Sequence, residues 1–178
     1  MTDPKTPANA FTITPVRNPT DLKDTISLFY AYAGSLGFDL AFQNFDAEMA
    51  AMPGKYSPPQ GQLLIARNSD GLAIGCVGLR PLPSPDPDLQ ISEMKRLYVT
   101  PSGRGTGVGK ALALGIIAVA KQLGYSEMRL DTLPIGFEDI PPYYQTPLEG
   151  THFLALNLDQ HQKRSTLGQA ETQHRGHG

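Results

Sequence analysis

The stretch between residues 90 and 132 limits the possible folds of this chain more than any other. Ile91–Val99 and Met128–Thr132 are strand candidates. The residues between 107 and 123 repeat apolar side chains at helical spacing before Gly124 ends the helix. A strand, a helix and a strand in succession predict two parallel strands in one sheet, because a parallel connection must cross over the sheet.

Other segments predict antiparallel pairing. Gln62–Arg67 and Leu72–Leu79 flank a turn signal at Asn68–Gly71, an arrangement typical of a hairpin. The last strand candidates are Phe137–Ile140 and His152–Leu158. Together with the parallel pair, these strands predict an α/β (α+β) fold in which helices flank a mixed central sheet.

The first part of the chain is predicted to hold one strand and two helices. The strand begins at Phe11. Thr20 or Asp21 is expected to cap a helix that runs to about Leu36, and residues 42–52 repeat apolar side chains as a second helix would.

Prolines and polar composition predict the loops and the limits of the domain. Residues 81–88 hold four prolines and are expected to form a stiff loop outside any strand or helix. We expect one domain over residues 11–158, preceded by a flexible lead at 1–10 and followed by a disordered polar tail at 159–178.

The segment Arg104–Lys110 opens the central helix and has the composition of an anion site. Its glycines allow the backbone to approach a ligand closely and to adopt positive φ. The N–H groups at a helix start point outward with the positive end of the helix dipole, and the flanking arginine and lysine add full charges. We expect this segment to bind a diphosphate.

Spacing separates this segment from two common nucleotide motifs. A P-loop requires Ser or Thr after Gly-Lys, and Ala111 stands there. A dinucleotide fingerprint would need a further glycine where this chain has valine or lysine. The pattern that fits is Arg-x-x-Gly-x-Gly, formed by Arg104, Gly107 and Gly109.

With this pattern the chain resembles the GNAT family of N-acetyltransferases. The resemblance is carried by Glu93–Val99, Arg104–Gly109, Leu123–Tyr125, Leu130–Pro134 and Ile140–Tyr144. It implies the acyl-CoA N-acyltransferase fold and acetyl-CoA as the donor substrate, with no metal.

The resemblance assigns the donor site to one strand and the glycine-rich segment. It implies that the pantetheine arm pairs with the strand as an added edge strand, and that the N–H of Leu97 or Val99 polarises the thioester carbonyl. The implied binding residues are Leu97, Tyr98, Val99, Arg104, Gly105, Thr106, Gly107, Val108, Gly109 and Lys110.

The resemblance also implies a catalytic base. Glu93 precedes Val99 on the strand where related enzymes carry a base glutamate, and it would accept a proton from the acceptor amine directly or through water. The alternative interpretation is that Glu93 pairs with Lys95 or Arg96 as a surface charge.

One element of the family is missing from the sequence. Relatives carry a helix after the strand Met128–Thr132, usually with the tyrosine that protonates the departing thiolate; Tyr143 and Tyr144 are the tyrosines that remain near the site. The resemblance implies that this strand and the next one run parallel with another strand between them. A parallel crossover needs about a dozen residues, so we expect the last strands to be rerouted, unpaired or paired differently. Either a segment is lost from the translation between Pro134 and Ile135, or the chain is a truncated variant that is weak or inactive.

Charge and composition narrow the partners and the compartment. A net charge of −2 and a pI of about 6.0 argue against nucleic acid as a partner. No apolar run is long enough to cross a membrane, so we expect a cytoplasmic protein. The expected assembly is a monomer or a homodimer. Cys76 is the single cysteine, which excludes an internal disulfide, and its apolar neighbours predict a buried thiol. The histidines form no metal-binding pattern.

The resemblance therefore implies an acetyl-CoA-dependent N-acetyltransferase. It would move an acetyl group directly to the primary amine of a small-molecule or amino-acid-like acceptor. The alternative is a non-catalytic or inactivated member of the family that binds CoA without transferring the acetyl group.

Overall fold

A mixed β-sheet organises the chain. A computed structural model describes residues 11–35, 44–131, 138–139 and 153–157. Within these ranges the strands are β1 (Phe11–Pro15), β2 (Gln62–Asn68), β3 (Ala73–Leu82), β4 (Ile91–Val99), β5 (Glu127–Asp131), β6 (Glu138–Asp139) and β7 (Phe153–Asn157). They lie side by side in the order β1-β2-β3-β4-β5-β7-β6.

Three α-helices accompany the sheet in the described ranges. They are α1 (Pro19–Ser35), α2 (Phe45–Ala50) and α3 (Val108–Gln122), and short 3-10 helices follow α2 at Gly54–Tyr56 and β4 at Pro101–Gly103.

The strand pairing confirms the predicted hairpin and the predicted parallel unit. β1 to β4 pair antiparallel in chain order, and β4 pairs parallel with β5 after the crossover through α3. Gly124 has a φ of 85° directly after α3, as the predicted helix end requires.

Apolar side chains fill both faces of the sheet. Because side chains alternate along a strand, Leu63 and Ile65 pack in the cluster under α1 and α2, whereas Leu64 and Ala66 pack in the cluster under α3. This two-sided burial explains why β2 is a continuous apolar run.

The cap of α1 differs from the expected one. The helix begins at Pro19, and Asn18 accepts a hydrogen bond from the N–H of Asp21 at its Oδ1 atom, 2.8 Å away. Asn18 therefore caps the helix in place of Thr20 or Asp21, with proline at the first helical position, where no N–H is needed.

Residues 81–88 are predicted to lie outside any strand, and this prediction is wrong for Pro81 and Leu82. β3 continues to Leu82, and Pro81 pairs with Ser92 of β4. The neighbouring strand β2 begins at Gln62, opposite Leu79, so Pro81 lies beyond its end. A proline is tolerated there because that side of β3 needs no N–H donor.

The expected disruption of the last strands is also wrong. β7 pairs antiparallel with both β5 and β6, so β5 and β6 run parallel with β7 between them, as the family resemblance implies. Two strand spacings amount to about 10 Å, and the seven Cα steps from Asp131 to Glu138 reach up to about 23 Å. A short connection is sufficient because β6 has only two residues, level with the middle of β5.

Several predicted features lie outside the described residues. They include the lead at 1–10, the tail at 159–178, and the part of the second helix before Asn44.

Candidate functional site

Two glycines shape the loop between β4 and α3. Gly105 and Gly107 have φ angles of 77° and 87°, in the left-handed region that favours glycine. No heavy atom lies within 4 Å of a Cβ placed at either position, so the backbone here borders open space. Gly107 is also the N-cap residue of α3.

The N–H groups of Gly105–Lys110 have no acceptor among the described residues. The first hydrogen bond of α3 runs from the N–H of Ala111 to the carbonyl oxygen of Gly107, at 3.0 Å. The hydroxyl of Thr106 donates to the carbonyl oxygen of Gly103 at 2.6 Å, which holds the loop in shape. A run of donors at the positive end of a helix can bind an anion.

Two cationic side chains border this loop. The Nε of Arg104 donates to the carbonyl oxygen of Val99 at 3.3 Å, and neither Arg104 nor Lys110 has an ion pair within the described part of the chain. Both side chains are exposed. Val108 is fully buried in the cluster under α3, so it offers a ligand only its backbone.

The pairing of β4 and β5 stops before β4 reaches this loop. Their pairing ends where Glu93 faces Arg129, while β4 continues to Val99. Residues 94–99 of β4 therefore have no described strand on that side, over a length of about 20 Å at 3.3 Å per residue. An extended ligand can pair with such an edge.

β4 contains a bulge that the sequence did not predict. Tyr98 faces Cys76 and Lys95 faces Gly78, so β4 has one residue more than β3 between these pairs. Arg96 lies inside the bulge with a φ of 58°, which is unusual for a residue other than glycine.

The three predicted contact residues of β4 alternate between the two faces of the sheet. Leu97 and Val99 pack towards the cluster under α3, while Tyr98 packs on the other face with its ring centroid 6.2 Å from that of Tyr32. All three are half-buried.

Glu93 is buried and paired. Its side chain is 1% exposed; its Oε2 accepts a hydrogen bond from the Nε of Arg80 at 2.6 Å, and its Oε1 lies 3.7 Å from the Nζ of Lys95. The alternative interpretation, a surface charge paired with Lys95 or Arg96, is therefore wrong about exposure. It is right that Lys95 is a partner. The sequence did not identify Arg80 as a partner of Glu93, because only the register of β3 against β4 brings the two residues together.

Arg96 pairs with a different carboxylate. Its Nη2 donates to the Oε2 of Glu48 at 2.8 Å, and the Oε1 of Glu48 accepts a hydrogen bond from the Tyr56 hydroxyl at 2.6 Å. Burial acts to raise the pKa of Glu48, but the hydrogen bond and charge of Arg96 outweigh it and lower the pKa. Burial and the charge of Glu48 raise the pKa of Tyr56.

A cavity of about 340 Å³ lies against α2 and the 3-10 helix that follows it. The polar residues that line it are Asn44, Glu48, Lys55, Tyr56 and Arg80. Arg80 lines the cavity and also bonds to Glu93, the last residue of β4 that pairs with β5. A volume of this size suits a small ligand.

The remaining predictions concern Cys76, metals and membranes. Cys76 is fully buried, and burial raises the pKa of its thiol, so it is an unreactive core residue as predicted. Within the described ranges, no three metal-ligating side chains cluster, and no helix is long and apolar enough to cross a membrane. Tyr143 and Tyr144 lie outside the described residues.

Comparison with known proteins identifies the family. Residues 28–139 match the model of the acetyltransferase (GNAT) family. An uncharacterised N-acetyltransferase of Schizosaccharomyces pombe is 39% identical, and the similarity covers 85% of this chain and 97% of that protein. The chain belongs to the GNAT family of acetyltransferases.

Solved structures confirm the fold. A GNAT-family acetyltransferase from Staphylococcus aureus has a TM-score of 0.66 at 20% identity, over 84% of this chain and 99% of its own. A GNAT-family N-acetyltransferase from Escherichia coli, solved in complex with CoA, has a TM-score of 0.60 at 21% identity, over 86% of this chain and 84% of its own. The acyl-CoA N-acyltransferase fold predicted from the sequence is therefore correct. The assignment of individual donor-site residues, the base, the cytoplasmic location and the oligomeric state stay predictions.

Proposed function

We propose that this chain transfers an acetyl group from acetyl-CoA directly to the primary amine of a small-molecule or amino-acid-like acceptor. The observation that carries the proposal is the run of N–H donors at Gly105–Lys110, which have no described acceptor and follow the end of the open edge of β4. A diphosphate and an extended arm joined to it fit these two adjacent features.

The donor site uses backbone more than side chains. The N–H groups at the start of α3 would bind the diphosphate of CoA, with Arg104 and Lys110 adding charge. The pantetheine arm would lie along the open edge of β4, which ends at Val99. The thioester carbonyl would then accept a hydrogen bond from the N–H of Leu97 or Val99.

The transfer step requires one proton to be removed and one to be supplied. The amine nitrogen bonds to the carbonyl carbon of the thioester, the carbon–sulfur bond breaks, and CoA leaves as a thiolate that takes up a proton. Glu93 is the candidate acceptor of the amine proton. Because Glu93 is 1% exposed and already bonded to Arg80, we infer that the proton reaches it through a water molecule.

A second candidate function is CoA binding without catalysis. Two observations favour it. Residues 132–137 are too few for the helix that carries the usual acid, and Glu93 is already bonded to Arg80 and close to Lys95. Such a protein would keep the donor loop and lose the transfer step.

Calorimetric titration with CoA, combined with an assay of thiol release, separates the two candidates. The proposed enzyme binds CoA and releases thiol from acetyl-CoA with at least one member of a broad panel of primary amines. Binding without release on the whole panel would support the second candidate. Absence of CoA binding would contradict both.

The length of the expressed protein provides an independent test. Mass spectrometry of the protein from its natural source, with sequencing of its transcript, would reveal any segment between Pro134 and Ile135. A chain with such a segment would supply the missing helix and favour the enzyme. If the expressed chain is identical to this sequence, any activity must come from the residues present here.

A further inference from the structure

The cavity against α2 holds two cationic groups with unused donors. Arg80 uses its Nε for Glu93, and its two terminal nitrogens have no partner among the described residues. Among the described residues, every fully buried side-chain nitrogen has a hydrogen bond. These two nitrogens have none, so they are accessible to solvent. Lys55, on the 3-10 helix, is exposed and has no ion pair within the described part of the chain.

The carboxylate in the cavity wall does not neutralise these two groups by direct contact. Both oxygens of Glu48 already accept hydrogen bonds, one from the Tyr56 hydroxyl and one from Arg96. Arg80 lines the cavity together with Glu48 and Tyr56. The cavity therefore offers a ligand cationic donors that are free to form new hydrogen bonds.

We propose that the acceptor carries a carboxylate next to its amine, and that Arg80 and Lys55 bind this carboxylate in the cavity. The inference rests on the proposed transfer function, since it names the acceptor class of the same site. A guanidinium can bind a carboxylate through two parallel hydrogen bonds, and the ammonium of Lys55 adds a third donor.

The guanidinium of Arg80 can contact the base and the acceptor at the same time. Its Nε edge holds Glu93, 2.6 Å away, while its terminal nitrogens remain for the ligand. In an α-amino acid the amine and the carboxylate are attached to the same carbon. A carboxylate on Arg80 therefore brings the amine towards Glu93, where a single water can pass its proton to the base. The cavity volume of about 340 Å³ matches a free amino acid or a small derivative.

The test compares matched acceptors on the full chain. Each α-amino acid of a panel is assayed beside its carboxamide and its decarboxylated amine, and kcat/KM is obtained from thiol release. We expect the amino acid to exceed both analogues by on the order of 10- to 100-fold, the effect of charge-assisted hydrogen bonds. Equal use of amino acid and amine would overturn the inference while leaving the transfer function intact.

Two variants assign the preference to the cavity. Lys55→Gln should reduce the preference for the amino acid about three- to tenfold through KM, with little change for the decarboxylated amine. Arg80→Lys keeps a charge beside Glu93 but removes the fork, and should reduce the preference further. Lys23→Gln, an exposed lysine of α1, is the matched control and should change neither value. A preference that both cavity variants leave intact would contradict this binding site.

Direct binding separates failure of the inference from failure of the transfer function. If no amine is turned over, the amino acid is titrated calorimetrically into the CoA-saturated protein. Binding that Lys55→Gln weakens and Lys23→Gln does not would support the carboxylate site in a protein without transfer activity. Absence of binding in that experiment would overturn the site.

Discussion

Arg80 and Glu93 face each other across β3 and β4. They are paired in the register of the two strands, and their side chains meet through a 2.6 Å hydrogen bond from Nε to Oε2. The contact lies at the last pair of residues that joins β4 to β5, where the edge of β4 opens. The proposed base is therefore fixed by the same register that positions the donor strand.

Replacing Glu93 tests whether it accepts the proton. Glu93→Gln keeps the shape of the side chain and removes the base, so we expect kcat to fall about 10²- to 10⁴-fold near neutral pH. The deficit should shrink as the pH approaches the pKa of the acceptor amine, because the amine then arrives deprotonated. The measurement is the pH profile of kcat for both proteins.

A purely structural role of Glu93 gives a different profile. The variant leaves Arg80 without its charged partner, so its free energy of unfolding must be measured beside its activity. A loss of kcat that stays constant across the pH range, in a protein that is still folded, would contradict the base assignment and indicate that Glu93 only positions Arg80.

The charge of Arg104 tests the donor loop. Arg104→Ala should weaken CoA binding on the order of 10- to 100-fold, because a charge-assisted contact to the diphosphate is lost. Pantetheine lacks the diphosphate, so its affinity should be the same for the variant and the parent protein. Calorimetry with both ligands makes the comparison, and equal CoA affinity would refute the role of this loop.

The ion pair between Glu48 and Arg96 should make stability depend on pH. The pKa of Glu48 is lowered in the folded state from its ordinary value of 4.5. Its stabilising effect is therefore complete above about pH 4.5 and is lost as the pH falls through the lower folded pKa. Glu48→Gln should lower the free energy of unfolding by about 3 kcal/mol at neutral pH, because it leaves Arg96 buried without this partner.

A matched carboxylate provides the control for that variant. Glu127 pairs with Arg129 at 2.6 Å, but both side chains are about a quarter exposed, at 24% and 25%. Glu127→Gln should change the free energy of unfolding by less than about 1 kcal/mol, as exposed ion pairs do. Urea denaturation of both variants at pH 7 and pH 4 gives the comparison. Equal losses in the two variants would contradict the special role of the Glu48 pair.

The sequence predicted the features that depend on local pattern. The parallel unit followed from apolar spacing. The conformation of the loop before α3 followed from glycines, since Gly105 and Gly107 have positive φ. The end of α3 at Gly124 followed in the same way.

The surroundings of the cavity depend on contacts between residues that are far apart in the sequence, which local pattern does not contain. Glu48 and Arg96 are 48 positions apart, and no spacing rule joins a helix residue to a strand residue at that distance. The positive φ of Arg96 was equally hidden, because arginine has no preference for it. The route to β6 was misjudged because the length of a crossover depends on strand length, and β6 has only two residues.

The last prediction concerns the close contact between Gly78 and Tyr56, whose side chain lines the cavity. A Cβ at Gly78 of β3 would lie 2.6 Å from the Cε1 of Tyr56, a ring that is 3% exposed and bonded to Glu48. The ring is buried and held by Glu48, so the added methyl group forces the ring or β3 to shift, and Gly78→Ala should lower the free energy of unfolding by about 1–3 kcal/mol. Gly34→Ala is the control of opposite sign. No atom lies within 4 Å of the added Cβ in α1, and alanine favours a helix over glycine by up to about 1 kcal/mol. Thermal and urea unfolding of the two variants test this, and a neutral effect of Gly78→Ala would show that the Tyr56 side of the cavity can yield.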